Sequence, residues 1–299
     1  MQVTFLGTAC MVPTKERNVA GVFLSYKTEG ILFDCGEGTQ RQMNIAGIKR
    51  NAVTKILISH WHGDHVAGLV GLIQTLGNEE EQVSIEIYGP KGTNKYMENV
   101  LNSCIFEVKV NLKIVELVND SPMVFFENDD FLLEAAQMEH SVPCLGFAFI
   151  EKDRKNIDKE FLIKNKIPEG PHLKALLEGK DILATGKKIL AKDVVKVTKG
   201  RKICYITDTL YCTNAIELAN NSDLLISESV YSSKLQEKAE ENKHMTSKSA
   251  AMVANQANVK QLVLTHFSQR YKNTQEIEDD ARTYFDNITC AVDFMKINL

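Results

Sequence analysis

Apolar positions along this chain fall into short runs, each closed by a polar turn. Val3 to Leu6, Gly21 to Tyr26 and Ile31 to Asp34 read as short strands, and the Pro13-Thr14-Lys15-Glu16-Arg17-Asn18 segment among them is too polar for either regular element. Ile56, Leu57 and Ile58 read as the end of a further buried strand. Val66, Leu69, Val70 and Ile73 recur at helical spacing, so the residues in between occupy a strand-to-helix turn and the helix runs to about Leu76. The same pattern predicts strands at Val83 to Tyr88, Leu112 to Leu117 and Phe131 to Met138, with a helix at Thr93 to Leu101. Towards the C-terminus come strands at Lys202 to Thr207, Leu224 to Ser227 and Gln261 to Thr265 and helices at Ser233 to Asn242 and Ser247 to Gln256, the latter N-capped by Thr246. Strands and helices intermixed without an internal repeat indicate an α/β fold of layered sheets.

From Glu151 the pattern changes to charged, weakly amphipathic sequence with Pro168, Gly170 and Pro171 at its centre and helix candidates at Asp158 to Lys164 and His172 to Leu177. Such a stretch buries little. Residues 151–192 are therefore expected to project as an arm from a single domain spanning residues 1–299. Charge reinforces the distinction: 15 Lys or Arg face 8 Asp or Glu between Glu151 and Lys202, a local +7 on a chain of net charge −4, leaving −11 elsewhere. A basic excess confined to one element suits contact with a polyanion at one place.

Composition adds a compartment. With 299 residues, 44% hydrophobic and 25% charged, the chain is ordinary globular protein. Its seven cysteines (Cys10, Cys35, Cys104, Cys144, Cys204, Cys212, Cys290) form no Cys-x-x-Cys pair, and an odd number cannot be fully paired within one chain. Reduced thiols in a cytoplasmic protein are expected. No signal-peptide pattern follows Met1 and no run of about 18 apolar residues occurs, so neither secretion nor a membrane span is expected.

The chemistry sits in the turn after Ile58, which reads Ser59-His60-Trp61-His62-Gly63-Asp64-His65. Imidazole and carboxylate donors packed this densely are what a borderline metal such as Zn²⁺ selects. They cannot all point at one tetrahedral centre. The simplest reading is two metals, with His60 and His62 on one and Asp64 and His65 on the other, Gly63 letting the turn close tightly. Asp34, ending a strand, is either an acceptor that orients a ligand imidazole or a helix cap. The same grammar, an apolar strand ending in His or Asp, recurs at His140, Asp208 and His266, which argues for one shared edge. Viewed alone, each has an ordinary alternative: His140 as a loop residue, Asp208 as a turn cap, His244 as a surface residue before Thr246.

The His-x-His-x-Asp-His cluster resembles the signature of the metallo-β-lactamase superfamily. Phe5-Leu6-Gly7-Thr8, Pro13-x-Lys15-x-Arg17-Asn18, Asp34-Cys35-Gly36-Glu37-Gly38-Thr39-Gln40, His140-Ser141-Val142-Pro143, Thr207-Asp208-Thr209 and His266-Phe267-Ser268-x-Arg270-Tyr271 narrow the likeness. Over nearly its full length the chain resembles the ribonuclease Z family of tRNA 3′-processing endoribonucleases. That resemblance implies a four-layered αββα sandwich with a protruding arm and two Zn²⁺ per subunit, in a donor set that also accommodates Mn²⁺. His60, His62 and His140 would hold one ion, Asp64, His65 and His266 the other, and Asp208 would bridge. Asp64 is implied as general base, and Glu228 with His244 as proton donor. The chain has Ser227-Glu228-Ser229-Val230 where the family commonly has His-Glu-Ala-Thr, and His244-Met245-Thr246 where it has His-Ser-Thr. The implied substrate is precursor tRNA, cut to leave a 3′-hydroxyl on the tRNA and a 5′-phosphate on the trailer by a homodimer, with Lys15 and Arg17 near the acceptor end. Two other readings are a small-molecule phosphodiesterase or sulfatase of the same superfamily, against which the basic arm speaks, and a silent RNA-binding scaffold, against which the intact donor set speaks.

Overall fold

The structure, a computed structural model, describes residues 1–79, 82–184 and 186–299. Two seven-stranded sheets dominate it. The first runs, edge to edge, Lys296–Asn298, Gln2–Gly7, Gly21–Tyr26, Glu29–Phe33, Lys55–Leu57, Ser84–Pro90, Asn111–Leu117. The second runs Ile288–Cys290, Leu262–Thr265, Leu224–Glu228, Lys202–Ile206, Cys144–Glu151, Phe131–Met138, Met123–Glu127.

Strand alternation builds the layers, because successive side chains point to opposite faces. Val22, Leu24, Ile31, Phe33 and Leu57 of the first sheet meet Leu133, Phe147, Phe149, Tyr205 and Ile226 of the second in one inter-sheet core. The intervening Phe23, Leu32, Ile56 and Ile58 face Met43, Leu69, Leu72, Leu76 and Met97 from the helices Thr39–Ala46, Leu69–Leu76 and Thr93–Leu101. On the far side Ala148, Cys204, Ile206, Leu225 and Leu264 meet Ala215, Leu218, Ala250, Val253 and Ile277 from the helices Thr213–Ala219, Ser247–Gln256 and Gln275–Arg282. The result is the αββα sandwich of the metallo-β-lactamase fold. Truncating a fully buried ring such as Phe147 would remove about 3–5 kcal/mol.

Topology decides where chemistry can gather. Glu29–Phe33, Lys55–Leu57 and Ser84–Pro90 run parallel, as do Lys202–Ile206, Leu224–Glu228 and Leu262–Thr265. Phe131–Met138 shares the latter direction, because both it and Lys202–Ile206 pair antiparallel with Cys144–Glu151. Residues directly after these strands therefore emerge at a common edge of each sheet, including Asp34, His60, His140, Asp208 and His266.

The structure departs from the sequence-based expectations in several places. The helix after the His-rich turn is two, Gly63–Val66 and Leu69–Leu76, because the helical hydrogen-bond ladder is interrupted at Gly68, whose N–H donates to Cys35 O at 2.9 Å. Gly63 is not what tightens the turn: a methyl group there would meet nothing within 4 Å. The tight contact is at Gly36, where a Cβ would lie 2.3 Å from Asp64 O. The strands Met123–Glu127 and Cys144–Glu151, the two C-terminal strands and the helices Thr213–Ala219 and Gln275–Arg282 were not anticipated. Nor does the excursion bury little: Leu162, Ile167, Leu176, Ile189, Ala191 and Val194 form a small core of their own. It opens with a ribbon pairing Arg154–Ile157 with Val195–Thr198, reaching beyond Lys192. Buried Glu151 anchors this root by accepting from Arg154 (2.8 Å), Arg201 (3.0 Å) and Tyr26 (3.1 Å).

These contacts predict unequal glycine substitutions. Gly36→Ala forces backbone against backbone and should lower stability by roughly 1–3 kcal/mol, whereas Gly63→Ala should stay within about 0.5 kcal/mol, as read from urea-denaturation midpoints.

Candidate metal centre

Every candidate ligand named from the sequence lies at this shared edge. Asp208, buried at the end of its strand, stands between two groups of imidazoles. Its Oδ2 is 3.6 Å from His60 Nε2 and 3.9 Å from His140 Nε2, while Oδ1 is 3.5 Å from His65 Nε2 and 3.3 Å from His266 Nδ1. Within the first group His62 Nδ1 lies 3.0 Å from His60 Nε2 and 3.4 Å from His140 Nε2. Within the second, His65 Nε2 and His266 Nε2 are 3.1 Å apart and each is 3.4 Å from Asp64 Oδ2.

Neighbours set the orientation of the rings. Asp34 Oδ2 accepts from His65 Nδ1, Ser59 Oγ and Tyr205 OH, each at 2.8 Å, and Oδ1 accepts from Ser59 N at 2.7 Å. Asp34 is thus the orienting acceptor and not a helix cap. With its hydroxyl hydrogen committed to Asp34, Ser59 Oγ is left to accept from His60 Nδ1 at 3.0 Å, which turns His60 Nε2 inwards. Lys243 O accepts from His140 Nδ1 at 3.0 Å with the same effect. Asp34 and His266 adopt left-handed backbone (φ 56° and 60°), an unfavourable conformation for residues with a Cβ that persists where surrounding contacts dictate it.

The electrostatics call for positive charge at the centre. Burial penalises the Asp208 carboxylate, but His266, His65 and His60 outweigh it and hold the acid well below its ordinary range. Burial likewise opposes ionisation of Asp64, yet hydrogen bonds from His266 and His65 pull it well below that range. Burial disfavours a charged His65, but Asp208 and Asp34 hold it up to about 10. His60, desolvated and beside His65, falls well below its usual value and keeps its lone pair. Inward-facing ring nitrogens that nearly touch, with His266 Nδ1 buried and making no hydrogen bond, bring several electron-pair donors to one space. A nitrogen and oxygen set of this kind fits divalent metal ions.

Beside this set, His244 Nδ1 lies 3.1 Å from Glu228 Oε2, and Glu228 Oε1 accepts from Thr209 N at 2.6 Å. Burial works against charge on His244, but Glu228 and Asp208 raise it above its ordinary value. Three contacts escaped sequence reasoning: Tyr205 on Asp34, Thr209 N on Glu228, and Met11 N, which donates to Asp64 Oδ2 at 2.7 Å. Two are backbone donors, for which residue type gives no signal, and Tyr205 is one aromatic in a buried strand. Arg17 lies over the Phe267 ring, 5.4 Å from its centroid, next to His266.

Residues 1–155 match the family described as Anti-Pycsar protein Apyc1, and residues 193–267 match the Beta-lactamase superfamily domain. The chain is 38% identical over 300 residues to ribonuclease Z of Methanothermobacter thermautotrophicus, covering 100% of this chain and 97% of that relative. It is 39% identical over 306 residues to ribonuclease Z of Rippkaea orientalis, covering 99% and 96%. Among solved structures it is similar to human tRNase Z, short form, at TM-score 0.73 and 29% identity, covering 100% of this chain and 99% of that one. A long-form ribonuclease Z from yeast shares the fold at TM-score 0.69 and 18% identity, covering 99% of this chain and 41% of that one. Since the ribonuclease Z relatives span both matched segments and the stretches outside them, the chain belongs to the ribonuclease Z family.

Proposed function

We propose that the protein is a metal-dependent endoribonuclease that removes the 3′ trailer from precursor tRNA, with His60, His62 and His140 holding one Zn²⁺, Asp64, His65 and His266 a second, and Asp208 bridging. The observation that carries this reading is the division of Asp208, one oxygen towards each imidazole group, in a chain related to ribonuclease Z over its whole length. Mn²⁺ suits the same donors.

The chemistry that two divalent ions supply when bound is Lewis acidity, towards water and towards the phosphoryl oxygens. The side chains do the rest. Asp64, aimed by the Met11 N–H and kept ionised by its imidazole neighbours, accepts the proton of the attacking water. His244, its Nδ1 held by Glu228, presents Nε2 to the departing 3′-oxygen and donates the proton that lets it leave. The tRNA then carries a 3′-hydroxyl and the trailer a 5′-phosphate.

Substrate choice rests on the arm, read as one inserted element of a single domain. Lys155, Lys159, Lys164, Lys166, Lys174, Lys187 and Lys192 are exposed there, and among the described residues none is in an ion pair, whereas Lys180, Lys188, Lys196 and Lys199 are. Free ammonium groups on a projecting element suit the phosphates of a tRNA body, a sequence-independent and salt-sensitive contact. No helix among the described residues is long and apolar enough to cross a membrane. Seven unpaired cysteines support a reducing, cytoplasmic setting. A homodimer is inferred from the family and is read directly by light scattering.

End-labelled precursor tRNA should be cut just beyond the discriminator base, the cut stopping with chelator and returning with Zn²⁺. No cut there, with chelator-sensitive turnover of a small phosphodiester, would favour the small-molecule hydrolase. His62→Ala and Asp208→Ala should lose both metal, by elemental analysis, and cleavage; activity in a metal-free His62→Ala protein would overturn the ligand assignment. His244→Ala should lower kcat by roughly 10²–10⁴-fold with metal content intact, and Glu228→Gln should follow in the same direction. Replacing residues 154–198 by a short Gly-Ser linker should raise KM for precursor tRNA and flatten its salt dependence while small-phosphodiester hydrolysis persists; equal loss of both activities would refute the division of labour.

A further inference from the structure

Beyond the nitrogen and oxygen donors, the centre has a sulfur neighbour that the proposed ligand set leaves out. Cys10 Sγ, a carboxylate oxygen of Asp64 and a ring nitrogen of His266 all lie within 4.8 Å of one another. The backbone holds it there from both sides. Cys10 N donates to Phe267 O at 3.0 Å and Phe267 N donates to Thr8 O at 2.8 Å, binding the segment alongside the residue after His266. Immediately beyond, Met11 turns into left-handed backbone (φ 64°) and its N–H reaches Asp64 Oδ2 at 2.7 Å. The backbone around the thiol is thus tied both to the residue after His266 and to the Asp64 carboxylate. A second observation points to a ligand: His266 Nδ1 is buried and without a hydrogen bond, although Asp208 Oδ1 lies 3.3 Å away.

Cys10 has an ordinary role as well, as a small apolar side chain packed against the helical layer of the second sheet. That role explains its partial burial. It does not explain a buried ring nitrogen of His266 that makes no hydrogen bond, or a left-handed turn at Met11 that keeps the thiol next to Asp64 and His266.

We propose that Cys10 is an additional, sulfur donor to the metal centre on its Asp64 and His266 side. The inference rests on the metal-site reading above. Coordination would release the thiol proton to solvent and leave a thiolate on the ion. A soft ligand biases the site towards Zn²⁺ and Co²⁺ and away from Mn²⁺ and Mg²⁺, so this chain would be more selective than its nitrogen and oxygen donors alone allow.

The probe is Co²⁺ added without oxygen to the metal-stripped, full-length protein. Visible bands from imidazole and carboxylate ligation should be joined by an intense near-ultraviolet sulfur-to-cobalt charge-transfer band. Cys10→Ala should keep the visible bands, lose the near-ultraviolet one and bind Co²⁺ about 10–100-fold more weakly, while Cys104→Ser, at an exposed cysteine, should change neither. In the unmodified protein Zn²⁺ should also protect Cys10, and not Cys104, from iodoacetamide, a readout that needs no variant to fold. Visible bands without the charge-transfer band, or a band that survives in Cys10→Ala, would overturn the proposal and leave the metal centre standing. Absence of all cobalt bands would overturn both.

Discussion

Carboxylates and imidazoles buried together are the constraint on which the rest of this molecule depends. Asp34, Asp208, Glu228, His60, His65 and His266 are all at most 3% exposed. An isolated ion in such surroundings costs several kcal/mol even after relaxation, so each group must find a partner of opposite charge or a hydrogen-bond donor. Asp34 satisfies this within the protein, through His65, Ser59 and Tyr205. Asp208 is held differently: apart from a hydrogen bond from the neighbouring Thr207 hydroxyl, its oxygens face ring nitrogens 3.3–3.9 Å away on both sides. The difference separates a carboxylate that orients one imidazole from one that stands between two imidazole groups.

The backbone is shaped to keep that arrangement. Parallel strands in both sheets deliver their ends to one edge, and two of the residues found there, Asp34 and His266, sit in left-handed backbone. Strain of about 1–3 kcal/mol at each such position is held by main-chain bonds on either side: Asp34 N to Leu57 O at 3.0 Å, and Phe267 N to Thr8 O at 2.8 Å. Close approach of Gly36 to the Asp64 carbonyl brings the loop carrying Asp34 against the turn carrying His60 to His65. Function and stability are therefore coupled at this edge through the main chain.

The arm follows a different logic. Its small core shares no residue with the three cores of the body, and it joins the body through a two-stranded ribbon rooted on Glu151. An element that satisfies its own apolar residues is free to carry many unpaired lysines, because their mutual repulsion acts on a projecting surface and not on the packed sandwich. In the proposed function, chemistry and substrate grip therefore fall to parts of the chain that pack around separate cores.

Local sequence determined more of this protein than its ordinary composition suggests. Short apolar runs in Gly21–Tyr26 and Lys202–Ile206 and helical spacing in Ser247–Gln256 are short-range features of the chain, so they could be read directly, as could the ligand types in the Ser59 to His65 turn. What tertiary structure alone decided was whatever depended on distant residues meeting. Whether Asp34 orients an imidazole or caps a helix was settled by its meeting His65, 31 positions away; whether Asp208 caps a turn or stands between two imidazole groups was settled by the parallel order of the sheets. The arm's core escaped notice because its apolar residues are sparse in sequence and adjacent only once the chain has doubled back. Backbone donors such as Met11 N and Thr209 N carry no residue-type signal at all, so the last shell of the site exists only in three dimensions.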